Sequence, residues 1–191
     1  MPVFALKLAR FMALLGGAVL LALIVITCVS VLGRGLNTLG HSDVLTGLSA
    51  ALGKALLATG VAPVKGDFEL VEAGIAFAIF AFLPICQLKG GHATVDIVSD
   101  QFPGAVNRFL ITLWEVVFTL VVLLIAWRLF EGFQSKLRNG ETTFLLQFPI
   151  WWAYGASFLA AVIAGLIAVY VAVVRVYALV TGRNPLAVPE A

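Results

Sequence analysis

Four long apolar runs, broken by short polar connections, set the pattern of this 191-residue chain. They fall at approximately 11–34, 68–88, 104–128 and 149–176. Each reaches the roughly 20 residues that a helix needs to cross the hydrocarbon of a bilayer. The first follows Lys7 and Arg10, a flank shared with signal peptides, but it is too long for a signal core and lacks a convincing cleavage site. It is expected to remain as a span, and Gly16, Gly17 and Ala18 would let another helix come close. The pattern therefore predicts a single all-α membrane domain with four transmembrane helices.

The connections carry secondary signals. Residues 37–66 are unusually long for a linker. Ser42-Asp43 can cap a helix in which Val44, Leu45, Leu48, Leu52, Ala55 and Leu56 recur at helical spacing. Too short and too rich in Gly and Ser to span, this stretch predicts a surface helix. After the second run, Lys89 and Gly90-Gly91 precede a segment with Val95, Val98 and Phe102 on one helical face and Asp96, Ser99 and Asp100 elsewhere. That amphipathic pattern predicts a helix lying along the membrane surface. Residues 128–141 form the polar connection into the last run, where Pro149 suits a helix first turn and Trp151, Trp152 and Tyr154 an interfacial belt.

Composition agrees. Hydrophobic residues make up 62% and charged residues 12%, so a water-soluble domain, with about 25% charged residues, is excluded. A net charge of +2 with no basic cluster argues against nucleic acid. Cys28 and Cys86 sit singly in apolar runs and read as small buried hydrophobes. His41 and His92 both fall in connections, so no pair of intramembrane imidazoles can hold a haem. No phosphate-cradling loop, nucleophile elbow or zinc-protease motif is present, and neither an enzyme nor a cofactor site is expected.

A few polar residues stand out. Arg34 closes the first run while Glu69 and Glu72 open the second, so Arg34 and Glu72 are candidates for an ion pair across the intervening loop. In the third run Arg108, Thr112, Glu115 and Thr119 share one face, and Glu115 is an intramembrane carboxylate. With no second such carboxylate, a structural bond to a neighbouring helix is favoured over an ion site. Ala156, Ala160, Ala164, Ala168 and Ala172 recur every four residues along the fourth run. Such small-residue faces mark helix contacts in lipid, and this one is a candidate subunit interface.

Two motifs carry a family resemblance. Lys89, Gly91, His92, Val95 and Asp96 after a hydrophobic helix, and Pro149, Trp151 and Tyr154 opening the fourth, resemble the small (Q-type) membrane subunit of tripartite ATP-independent periplasmic (TRAP) transporters. Ala93 departs from the larger aliphatic residue usual there, and the 37–66 connection is longer than usual. The resemblance implies a subunit that braces a large permease subunit, with a periplasmic binding protein delivering the solute. It implies ion-gradient-driven uptake of an organic anion, often a C4-dicarboxylate, at the bacterial inner membrane. The alternative from the residues alone is a free-standing four-helix carrier or channel, which would be expected to show repeats or broken helices. Charge barely orients the chain. Lys7, Arg10, Lys89, Arg108, Arg175 and Arg183 on one side balance Arg34, Lys54, Lys65, Arg128, Lys136 and Arg138 on the other. The flank of the first helix favours cytoplasmic termini, as the resemblance also implies.

Overall fold

The computed structural model describes residues 3–41, 58, 60, 62–90 and 104–181. Four helices are present among them: α1 (Val3–Gly40), α2 (Asp67–Lys89), α3 (Gly104–Asn139) and α4 (Ile150–Thr181). All four are long and apolar enough to cross a membrane. The surface helix expected within 37–66, from Ser42 to Leu56, lies outside the described residues, while 37–40 belong to the end of α1. The amphipathic segment with Val95, Val98 and Phe102 lies outside it as well.

Only α2 has the length of a simple span. Its 23 residues extend about 35 Å at 1.5 Å per residue, close to the ~30 Å hydrocarbon core. With 38, 36 and 32 residues, α1, α3 and α4 run well past it. The stretch expected as the polar connection 128–141 is accordingly helical as far as Asn139. Hydropathy marks where lipid ends, whereas the helix continues while its other face has partners. Phe130 and Phe133 supply them, with ring centroids 5.2 and 6.5 Å from Phe158 of α4. Gly90, at φ 61, closes α2 in the left-handed conformation that glycine adopts without steric cost, and its N–H returns to Cys86 and Gln87 carbonyls.

The helices run up and down, and contacts fix their order. α1 lies antiparallel to α2. Gly16 faces Ala81 and Gly74 faces Leu23, each so closely that an added Cβ would stand within 3 Å of the neighbour. The adjacent Gly17 faces open space. α4 packs beside α2 and, antiparallel, beside α3, leaving α1 and α3 on the flanks. One core joins Ala9 of α1, Leu88 of α2 and Ile167 and Val171 of α4; a second joins Met12, Ala81 and Ala160.

The alanine stripe of α4 is taken up by this packing. Ala160, Ala164, Ala168 and Ala172 are all buried inside the chain, and Ala156 alone is exposed. The expectation that this face forms a subunit interface is corrected: its small side chains let α4 come close to the chain's own helices. Cys28 also departs from expectation, being exposed on the outer flank of α1, while Cys86 is half-buried. Large apolar residues that remain exposed, such as Leu14, Leu21 and Ile24 on α1 and Trp114, Leu120 and Leu124 on α3, face outward, as they would toward lipid or a partner.

Gly16→Leu should therefore force α1 from α2 and lower the thermal stability of the detergent-solubilised protein by about 1–3 kcal/mol. Gly17→Leu, one residue along the same helix, should leave the melting curve in place.

Candidate functional site

Among the described residues the polar chemistry gathers at two levels: one inside the bundle, one where the ends of all four helices meet. Inside, the inward face of α3 carries the expected row. Thr112 and Thr119 are buried, Glu115 is half-buried and Arg108 is exposed. The carboxylate of Glu115 accepts a hydrogen bond from Nε2 of Gln87, a residue of α2 that is only 3% exposed. The Thr119 hydroxyl donates to the Glu115 carbonyl at 2.8 Å and lies 3.3 Å from the carbonyl of Ala168 on α4. A lipid-buried carboxylate needs donors within the protein, and Gln87 is one. This bond ties α3 to α2 across α4. Gln87 was missed as a partner because it stands at the end of an apolar run and reads as the start of the polar hinge. A lone amide between Cys86 and Leu88 was its only signal.

The second level is built on the connection between α3 and α4. Residues 140–149 form a short clasp in which Thr143 N–H donates to the Phe148 carbonyl at 2.9 Å and Ile150 N–H to the Glu141 carbonyl at 3.0 Å. Gly140 and Gln147 take positive φ at its corners. Lys136 at the end of α3 grips the Glu141 carboxylate, and Asn139 Nδ2 donates to it at 3.0 Å. Those two donors hold the Glu141 carboxyl below the usual carboxylate range.

Glu69, in the first turn of α2, reaches over to this clasp. Its two oxygens accept the N–H groups of Leu145 and Leu146 at 2.7 and 3.0 Å. The clasp's tip would otherwise present these backbone donors unpaired. Leu146 packs onto Gly66, where an added Cβ would stand 2.4 Å from its side chain. Gly33 of α1 lies equally close to the carbonyl of Ala62, just ahead of α2. In the sequence Glu69 reads only as a carboxylate opening the second run; nothing local points to a partner 76 residues away.

The cation–carboxylate contact at the end of α1 differs from the expected one. Arg34 lies 3.8 Å from Asp67, the first residue of α2, and Glu72 is not its partner. Glu72 stands five residues further along α2, about 7.5 Å deeper, beyond the mouth of the loop where Arg34 sits. At 65% exposure of the Arg34 side chain, the pair stabilises little.

Below the clasp, residues of α2, α3, α4 and the clasp line an open cavity of about 280 Å³. Glu69, Glu72, Thr143, Tyr154 and Ser157 supply its polar groups, and alanines and Leu129 much of the remaining wall. Among the described residues no group of three or more His, Cys, Asp and Glu is placed to hold a metal ion.

The motif residues divide. Lys89 is exposed in the last turn of α2, while Gly91, His92, Val95 and Asp96 lie outside the described residues. Pro149 is bridged to Thr142 at the base of the clasp. Tyr154 packs on Gly132 of α3, and Trp151 meets Phe133 edge-on, ring centroids 6.3 Å apart. The expected aromatic belt is thus split: Trp152 faces outward, whereas Trp151 and Tyr154 lock α4 to α3.

Replacing Gln87 with Leu removes a donor from a carboxylate inside the bundle and should cost about 1–3 kcal/mol of stability. In a double-mutant cycle with Glu115→Leu, measured by thermal melting in detergent, the two losses should fall well short of adding.

Residues 23–181 match the family model described as tripartite ATP-independent periplasmic transporters, DctQ component. No curated protein and no solved structure matches the chain.

Proposed function

Since the chain belongs to the family of DctQ components of tripartite ATP-independent periplasmic transporters, we propose that it is the small permease subunit of such a transporter. In this reading it braces a large permease subunit while an ion gradient drives uptake of an organic anion, such as a C4-dicarboxylate. A separate periplasmic binding protein delivers the solute. The chain itself catalyses no covalent reaction and works without ATP or a cofactor. The family match over most of the chain carries the proposal.

The architecture supports a bracing role. A brace must resist relative motion of its helices, and here they are tied at both ends. The Glu69–clasp bonds join α2 to the α3–α4 connection at one end. The apolar cluster of Ala9, Leu88, Ile167 and Val171 joins α1, α2 and α4 toward the other. At that same end, next to Leu88, the Gln87–Glu115 bond links α2 to α3. These ties are of the kind that hold a frame still while something beside it moves.

Liposomes containing the chain alone should show no uptake of a C4-dicarboxylate under an inward sodium gradient. Uptake should appear when the large permease subunit and the solute-binding protein are added. Gradient-driven uptake by the chain alone would replace this reading with that of a free-standing carrier.

The orientation proposed places both termini and the Lys89 end of α2 in the cytoplasm, so the clasp of residues 140–149 faces the periplasm. Phe144, at the tip of that clasp, is 91% exposed. In a variant lacking Cys28 and Cys86, a cysteine at position 144 should react with a membrane-impermeant maleimide added to the periplasmic side of intact cells. Reaction only after the cells are opened would invert the orientation.

A further inference from the structure

The cavity beneath the clasp has a charge that the chain does not balance. Of its lining residues two are carboxylates, and none is Lys or Arg. Glu69 already has both oxygens engaged by the N–H groups of Leu145 and Leu146. Glu72 is exposed and pairs with no cation among the described residues: the three ion pairs there involve Asp67, Glu131 and Glu141. Arg34, the cation expected from the other side of the loop, is turned to Asp67 instead.

Glu72 also stands where a bare carboxylate is costly. It is the sixth residue of α2, and α2 is barely longer than the hydrocarbon is thick. Ile75 and Ile79, the following exposed positions of the helix, face outward at 43% and 55% exposure. Charges at that level pair with one another or with other polar groups of the protein rather than face hydrocarbon. A second observation points to the same place. Ser157 of α4 lines the cavity, is 1% exposed, and its hydroxyl has no hydrogen-bond partner. A buried hydroxyl without a partner is uncommon enough to call for one from outside.

We infer that this cavity is a socket for a basic side chain, Lys or Arg, presented by the large permease subunit, which pairs with Glu72 at the hydrocarbon boundary. The inference rests on the proposed function for the existence of that partner. The match is one of charge, size and shape. A volume of about 280 Å³ accepts a whole guanidinium or ammonium group with its alkyl stem. Ala73 and Ala76 line the wall, so a partner helix can approach α2 closely. The apolar remainder of the wall suits the methylenes of such a side chain.

The two subunits are co-expressed, the small one is tagged, and the large one retained after extraction in detergent is measured. Glu72→Gln keeps the shape and removes the charge. It should speed dissociation of the large subunit on the order of tenfold or more, because truncating one partner of a desolvated pair acts on the off-rate. Glu72→Lys should weaken retention further. Glu131→Gln, at a carboxylate already paired with Arg128, should leave it unchanged. Melting of each free variant accompanies the assay. A Glu72→Gln chain that melts like the native one yet releases its partner supports the socket, and equal retention by a chain that melts normally overturns it. If Glu72→Gln melts lower, Ala76→Phe, which fills the cavity and keeps the charge, gives the same two readings. Should the native pair fail to co-purify, the subunit reading itself falls, and this inference with it. A small inorganic cation is the remaining occupant. If sodium chloride raises the melting temperature of the free native chain above that in N-methylglucamine chloride at equal ionic strength, and Glu72→Gln abolishes the difference, the cavity holds an ion and not a side chain.

Discussion

Hydrocarbon supplies neither a hydrogen-bond partner for a polar side chain nor a drive to press two apolar helices together. The structure follows from meeting both constraints inside one chain. Close approach comes from small residues placed where backbones cross. Gly16 against Ala81 and Gly74 against Leu23 seat α1 on α2, and the buried alanines of α4 seat it among its neighbours. Polar groups at depth are then satisfied across the seams that close packing creates. Glu115 finds Gln87, and Thr119 finds the carbonyls of its own helix and of α4. Neither device works without the other: a polar bond across a helix pair needs the short axial distance, and the small residues alone give little energy per contact.

The four spans were legible because an apolar run of about 20 residues has few other uses. The lengths of the helices were not. Hydropathy falls when residues leave lipid, but Arg128 to Asn139 stays helical because Phe130 and Phe133 keep one face packed on Phe158 and Trp151. The alanine periodicity of α4 was likewise plain, and it identified a packing face correctly. What it packs against was invisible, since a small residue carries no mark of its partner. The structure gives that face to the chain's own helices, chiefly through Ala160, Ala164 and Ala168.

Long-range polar partners were the least legible. Arg34 was matched with Glu72 because the two flank one loop, yet Asp67 sits at the mouth of that loop, and depth along the helix decided the partner. The contact between Glu69 and the Leu145 and Leu146 amides joins segments of no local resemblance. Backbone amides carry no sequence signal, so a carboxylate that pairs with them reads as an unassigned surface charge. The motif residues Tyr154 and Trp151 show the reverse case. Their aromatic character suggested an interfacial belt, but Gly132 left room for Tyr154, and Phe133 drew Trp151 inward.

The same constraints bear on how the bundle can meet a partner. α4 has spent its small-residue face internally, so it has little left for close approach to another chain. The outward faces of α1 and α3 carry mostly bulky apolar side chains, which are as content in lipid as against protein. Area of that kind gives contact but little selectivity, because lipid competes for it on nearly equal terms. Selectivity must come from a feature that lipid tails cannot satisfy. A carboxylate near the hydrocarbon boundary, beside a cavity with a buried unpartnered hydroxyl, is such a feature, and Glu72 and Ser157 occupy that position together. The end of the molecule that holds them is also the end fixed by the clasp, with Glu69 securing its tip. A socket is useful to a brace only if its walls do not yield, and that end carries the densest set of ties.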